Sequence, residues 1–167
     1  MEISAGRELA RVGIRQVLRA TPQWVLRLAY PKAQAVERIR VEASAQGANF
    51  WVGENRLVPE FSAGGLTVWN RTPLKLYLVG ADLRVVVSSQ EWLRYEKRFP
   101  SISEILPEDI GGFHLTMPIE SSGLLTQIRT YPRDWVRMDI RGCLVFHSVY
   151  GEVKKELHTT MMGIIDR

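Results

Sequence analysis

The stretch from Val136 to Ile165, VRMDIRGCLVFHSVYGEVKKELHTTMMGII, alternates apolar and polar residues on both sides of a Tyr-Gly pair. A period of two predicts two antiparallel strands joined by a tight turn. With Tyr150-Gly151 at the tip, residues whose numbers sum to 301 lie opposite one another, which places Leu144 against Leu157, Ser148 against Val153, Cys143 against His158 and His147 against Lys154. Met138, Ile140, Leu144 and Phe146 then point into a core, while Asp139, Arg141, Cys143, Val145 and His147 point away from it.

The same alternation recurs upstream in Leu66–Asn70, Leu74–Ser88 and His114–Ile119. Asn70-Arg71-Thr72-Pro73 supplies a bend between the first two of these. From Gln90 to Asp109 the period breaks, and Pro100 and Pro107 mark a long irregular connection anchored by Trp92, Tyr95 and Phe99. Ser121-Ser122-Gly123 precedes Leu124, Leu125, Ile128 and Tyr131, whose spacing gives one short apolar helical face that Pro132 ends. Strands in this order around one inserted helix predict a mainly β chain, an antiparallel β-sandwich over residues 63–167.

Residues 1–62 read as a basic helix followed by accessory strands, with Ser62-Ala63-Gly64-Gly65 as the boundary. Between Glu2 and Ala20, Arg7, Arg11, Arg15 and Arg19 recur every fourth residue and form one stripe. Ile3, Leu9, Ile14 and Val17 fall on the remaining arc. Thr21-Pro22 ends or kinks this amphipathic helix, and Trp24, Leu26, Leu28 and Tyr30 extend its apolar side. Two roles compete for it: packing on its own domain, or meeting an anionic lipid surface through Arg7, Arg11, Arg15, Arg19 and Trp24. Further on, the Ile39/Val41/Ala43 alternation favours a strand over Val36–Ala43, although helix is tolerated there. Asn49-Phe50-Trp51-Val52 follows as a second candidate strand.

With 46% hydrophobic residues in 167, the chain is able to bury a substantial core. Lysine and arginine number 22 against 18 acids, and 17 of the 22 are arginine, whose planar fork suits carboxylate and phosphate. A net charge of +4 is too small to indicate nucleic acid unless it is clustered, so the expected partner is a protein or an anionic membrane surface. The single cysteine excludes an internal disulfide framework. No run of about 18 apolar residues predicts a spanning helix. The arginines of the first residues interrupt any secretion signal, and the expected address is cytoplasmic, with peripheral membrane contact as the alternative.

Little in the chain points to catalysis. Cys143 opposite His158 is the minimum for nucleophile activation, but no third orienting residue accompanies them. His114, His147 and His158 lack metal-ligand spacing, and Gly111-Gly112 does not open a phosphate loop. No cofactor and no metal are expected. Asn70-Arg71-Thr72 has the glycosylation pattern, which matters only in a secreted protein.

The run Leu66-Thr67-Val68-Trp69-Asn70-Arg71-Thr72-Pro73-Leu74-Lys75-Leu76, the strand through Val87, the Ile119–Tyr131 segment and the closing Ile140-Arg141-Gly142-Cys143-Leu144-Val145-Phe146 hairpin together resemble the water-stress and hypersensitive-response domain of group 2 late embryogenesis abundant proteins. Asn70-Arg71-Thr72 stands where that family carries Asn-Pro-Asn. The resemblance implies an immunoglobulin- or fibronectin-like β-sandwich with a short helix, a stress-protective or interaction role, and no enzymatic activity. It transfers no binding residues.

Overall fold

The computed structural model describes Ile14 and residues 16–43, 47–53 and 58–167, apart from the side chains at 43 and 100–102. Residues 16–20 are helical and stop at Thr21, whose N–H and hydroxyl both donate to the Val17 carbonyl. Pro22, which has no N–H to continue the ladder, begins a new helix instead, α1 (Gln23–Ala29). Pro31 does the same for α2 (Lys32–Arg38). The strand expected over Val36–Ala43 therefore starts only at Ile39: β1 is Ile39–Ala43, and Val36–Arg38 belong to the helix. The remaining elements are β2 (Ala48–Trp51), β3 (Glu60–Asn70), β4 (Leu76–Val87), β5 (Gln90–Ile105), β6 (Asp109–Pro118), α3 (Ser122–Arg129), β7 (Trp135–Ser148) and β8 (Gly151–Asp166).

The fold is mainly β, but it is not the pair of separate antiparallel sheets that a sandwich requires. Hydrogen bonding runs through one eight-stranded sheet in which β1 and β2 lie along one edge of β3, β6 lies along its other edge, and β2 leads on through β8, β7 and β4 to β5. The sheet is also mixed, because β2 runs parallel to β8, with Ala48 opposite Gly163 and Phe50 opposite Ile165. A parallel neighbour more than a hundred residues away leaves no local turn signal. The sheet curls so that its ends approach: the rings of Phe99 on β5 and Phe113 on β6 lie 6.3 Å apart. Inside the curl, Phe50, Phe61, Leu66, Leu83, Leu115, Met138, Ile140 and Phe146 are fully buried. The boundary expected between residues 62 and 63 lies within β3.

One long strand, β5, replaces most of the irregular connection expected between Gln90 and Asp109, and β6 begins where that connection ends. Pro100 is accommodated because β5 ends the sheet and carries a bulge there: Leu78 faces Ser103, whereas Gly80 already faces Arg98. The inserted helix forms as the spacing predicts. Ser121 Oγ accepts from the Leu124 N–H at 3.3 Å, Ile128 is buried, and Tyr131 meets the edge of Trp92 at 5.6 Å.

The β7–β8 hairpin keeps its predicted faces but not its register. Leu144, Phe146 and Leu157 are all buried. However, Ser148 pairs with Gly151 and Leu144 with Lys155, a slip of two residues from the expected pairing. The physical reason is the turn. Gly151 carries the positive φ of 79°, and no positive φ occurs at Val149 or Tyr150, so Val149-Tyr150 form the loop and Gly151 takes the left-handed position after it.

The β4–β5 turn meets the same demand less comfortably. Val87 pairs with Gln90 across Ser88 and Ser89, whose φ values of 48° and 68° are those of a type I′ turn. Neither residue is the asparagine or glycine that adopts this region readily. Ser88→Asn with Ser89→Gly is expected to stabilise the protein by about 1–2 kcal/mol. Thermal unfolding checks this: the midpoint should rise by several degrees, and an unchanged midpoint would remove strain from the account of this turn.

Candidate interaction surfaces

The N-terminal helices pack on one end of the sheet through a small second core. Leu26 of α1, Ala35 of α2 and Leu74 are buried together, with Leu18, Tyr30, Val149 and Tyr150 packed around them. Polar bonds tie the same contact to turns far along the chain. The Tyr150 hydroxyl donates to the Arg27 carbonyl, Lys32 Nζ donates to the Glu152 carbonyl, both at 3.2 Å, and the Lys75 N–H donates to Gln23 Oε1 at 3.0 Å. Arg19 ion-pairs with Asp109 at 3.2 Å, an exposed contact worth at most about 1 kcal/mol.

Of the five residues expected to meet an anionic surface, Arg7, Arg11 and Arg15 lie outside the described residues. Arg19 is already engaged by Asp109. Trp24 points outward and is 65% exposed, as is Leu28 at 80%, one turn further along the same face of α1. Ile14 and Val17, three residues apart on the preceding helical segment, are also exposed. The helical layer thus docks one side and leaves large apolar side chains on the other.

A second surface covers the outer face of β4, β7 and β8, where an open concavity of about 1080 Å³ lies over Arg84, Arg137, Arg141, Cys143 and His158. Ladder pairing draws a row across four strands there, from Arg94 to Arg84 to Arg141 to His158. The next row is Glu96, Asp82, Cys143 and Glu156. Like charges side by side repel, and the acidic neighbours offset that cost. Arg94 pairs with Glu96 at 3.3 Å, Arg84 with Glu91 at 3.7 Å and Arg141 with Asp139 at 2.6 Å. Hydrogen bonds from the Thr160 hydroxyl and from Arg141 hold the Asp139 carboxyl below the usual carboxylate range.

In this register the pair expected directly opposite one another lies diagonally on the same face instead. Cys143 faces Glu156 on one side and Asp82 on the other, while His158 faces Arg141, and His147 faces Glu152 rather than Lys154. Among the described residues no group of three histidine, cysteine or acidic side chains is arranged to hold a metal ion. No helix among them is long and apolar enough to cross a membrane. The charge rows were not legible beforehand, because each residue looks like ordinary solvated charge until four strands are laid side by side.

Asn70, read from sequence as part of a bend and of a glycosylation pattern, is buried to 1% exposure. Its amide nitrogen donates to the carbonyls of Leu74, Ile105 and Leu106 at 2.7, 3.1 and 2.9 Å. Its Oδ1 accepts from the N–H and hydroxyl of Thr72. Asn70 therefore joins the β3–β4 and β5–β6 turns, and its amide is not presented for modification.

No family model and no curated protein matches the chain. Among solved structures, a protein from Archaeoglobus fulgidus superposes with a TM-score of 0.46 at 6% identity, over 77% of this chain and 96% of its own. The putative ApaA protein from Bordetella pertussis gives 0.45 at 11% identity, over 77% and 94%. Spo0M, a sporulation control protein from Bacillus subtilis, gives 0.38 at 14% identity, over 78% and 50%. These are distant likenesses, and they carry no argument about activity.

Proposed function

We propose that the protein is a non-enzymatic binding module whose N-terminal helical layer engages an apolar surface bearing anionic groups, with the curled sheet as its scaffold. The observation that carries this reading is the outward placement of Trp24 and Leu28 on a helix whose opposite side is docked through Leu26. Large apolar side chains left in water on one helix face suit the interface of a bilayer, where tryptophan is favoured. Burial of each is worth about 1.5–3 kcal/mol. The charges of Arg7, Arg11 and Arg15, which lie outside the described residues, would add attraction of about 1 kcal/mol each near an anionic leaflet. The resemblance to late embryogenesis abundant proteins supports a stress-protective setting for the same module.

Vesicle cosedimentation tests this. The protein is expected to pellet with phosphatidylserine-containing vesicles at low salt, to be released as salt rises, and to ignore phosphatidylcholine. Trp24→Ser with Leu28→Ser should weaken binding at least tenfold without unfolding the sheet. Arg7, Arg11, Arg15 and Arg19 changed together to Gln should remove the salt-dependent part. If the unaltered protein stays in the supernatant at low salt, the reading fails.

A further inference from the structure

A third surface lies between the end of α2, the start of β1, the residue after β3 and the middle of β8. Arg38, Arg40, Arg71 and Lys155, with Glu37 and Glu156, line a groove of about 320 Å³ there, at the small end of ligand-sized cavities. The fold brings these cations together from distant positions. The Arg71 N–H donates to the Arg38 carbonyl at 3.2 Å, and Lys155 Nζ donates to the Val36 carbonyl at 3.2 Å.

Two of the guanidiniums are held by aromatic rings rather than by acids. Arg38 Cζ lies 5.6 Å from the centre of the Tyr30 ring and Arg71 Cζ 5.7 Å from that of Trp69. Among the described residues neither has a carboxylate within ion-pairing distance, whereas Arg40 pairs with Glu42. An arginine over a ring is oriented by its face while its N–H edge remains open to a planar or tetrahedral oxyanion. With Arg40 neutralised by Glu42, the remaining three cations exceed the two acids of the groove by one charge. A phosphoryl group matches both features: it is nearly dianionic near neutral pH and offers three acceptor oxygens to two forked donors and one ammonium.

We infer that this groove is a binding site for a phosphomonoester group. The site uses none of the apolar residues of the helical face and stands whether or not that face meets a bilayer. Its ligand is either a soluble phosphomonoester or a phosphomonoester lipid headgroup, the shared chemistry being the terminal phosphoryl group.

The test titrates the full chain with inorganic phosphate and with glycerol phosphate, following the guanidinium N–H resonances by NMR, against chloride at matched ionic strength. Saturable shifts confined to Arg38 and Arg71 are expected. Arg38→Gln with Arg71→Gln should weaken both titrations at least tenfold, and Arg38→Lys with Arg71→Lys should fall between, since charge remains without the fork. If the double variant does not fold, Arg38→Gln alone, at an exposed helix end, gives the same reading. Arg84→Gln with Arg94→Gln on the outer face should change nothing. Equal shifts with chloride, or unaltered phosphate binding in the Arg38 variants, would overturn the site.

Vesicles separate the two sources. A preference for phosphatidic acid over phosphatidylglycerol at equal surface charge, lost in the Arg38 and Arg71 variants, identifies the lipid. No such preference, with soluble binding intact, identifies a free phosphomonoester. The Trp24 and Leu28 variant should leave the soluble titration unchanged, so failure of the helical reading is distinguishable from failure of this one.

Discussion

Asn70→Ala is expected to lower stability by about 3–5 kcal/mol, near the upper end for a single substitution. The side chain makes five hydrogen bonds in a site of 1% exposure, and truncation leaves acceptors on two different turns without their donor. Each buried polar group left unpaired costs about 1–3 kcal/mol, and Thr72, which also donates to the Leu74 carbonyl, offsets part of this. Asn70→Asp sharpens the test. One carboxylate oxygen would face three carbonyls, so burial and repulsion should raise its folded-state pKa above the unfolded value of about 3.9. The deficit of the Asp variant should therefore be small below pH about 4 and grow as pH rises through that value. Urea midpoints at pH 3.5 and 7 check both statements. A loss below about 1 kcal/mol for Asn70→Ala would show that the network does not hold the two turns together.

Gly142→Ala should have an effect of similar size for a different reason. Gly142 has φ 143°, a conformation that L side chains rarely adopt, and a Cβ built there would stand 2.0 Å from the Asp82 carbonyl oxygen and 2.9 Å from Leu83 Cα. Both contacts are backbone, so no rotamer change relieves them. Backbone strain of about 1–3 kcal/mol and overpacking of about 1–3 kcal/mol act on the pairing of β7 with β4. Chemical denaturation should show a loss of about 3–5 kcal/mol, or no soluble protein. Gly151→Ala is the comparison: it shares a positive φ of 79° but has nothing within 4 Å, so its cost should be only the conformational part, about 1–2 kcal/mol.

Local chemistry made much of this molecule legible. Leu144, Phe146 and Leu157 reached the core because a period of two reports faces, and a slip of two residues leaves faces unchanged. The helix through Ile128 was legible because Ser121 and Pro132 delimit it, and the break at Thr21-Pro22 because proline removes a donor. β5 was hidden for a local reason as well. It ends the sheet, its side chains from Arg94 to Arg98 are mostly exposed and charged, and its proline sits in a bulge, so no clean alternation survives.

The candidate sites divide along the same line. Helical spacing places Trp24, Leu26, Leu28 and Tyr30 on one apolar side, whereas the structure divides them, docking Leu26 and Tyr30 and leaving Trp24 and Leu28 exposed. Which side of that helix docks depended on Leu74, Val149 and Tyr150, and Arg19 found its partner ninety residues away in Asp109. Sequence by itself determined the strand faces of the closing hairpin and the inserted helix, because each is set by residues within a turn or two of one another. Only the tertiary structure decided that β2 lies parallel to β8 in a single curled sheet, that the hairpin register sets Cys143 opposite Glu156 rather than His158, and that Arg38, Arg40, Arg71 and Lys155 share a groove. Those are choices of partner between distant segments, made by burial of the whole core and by the glycine at which the turn finds its positive φ.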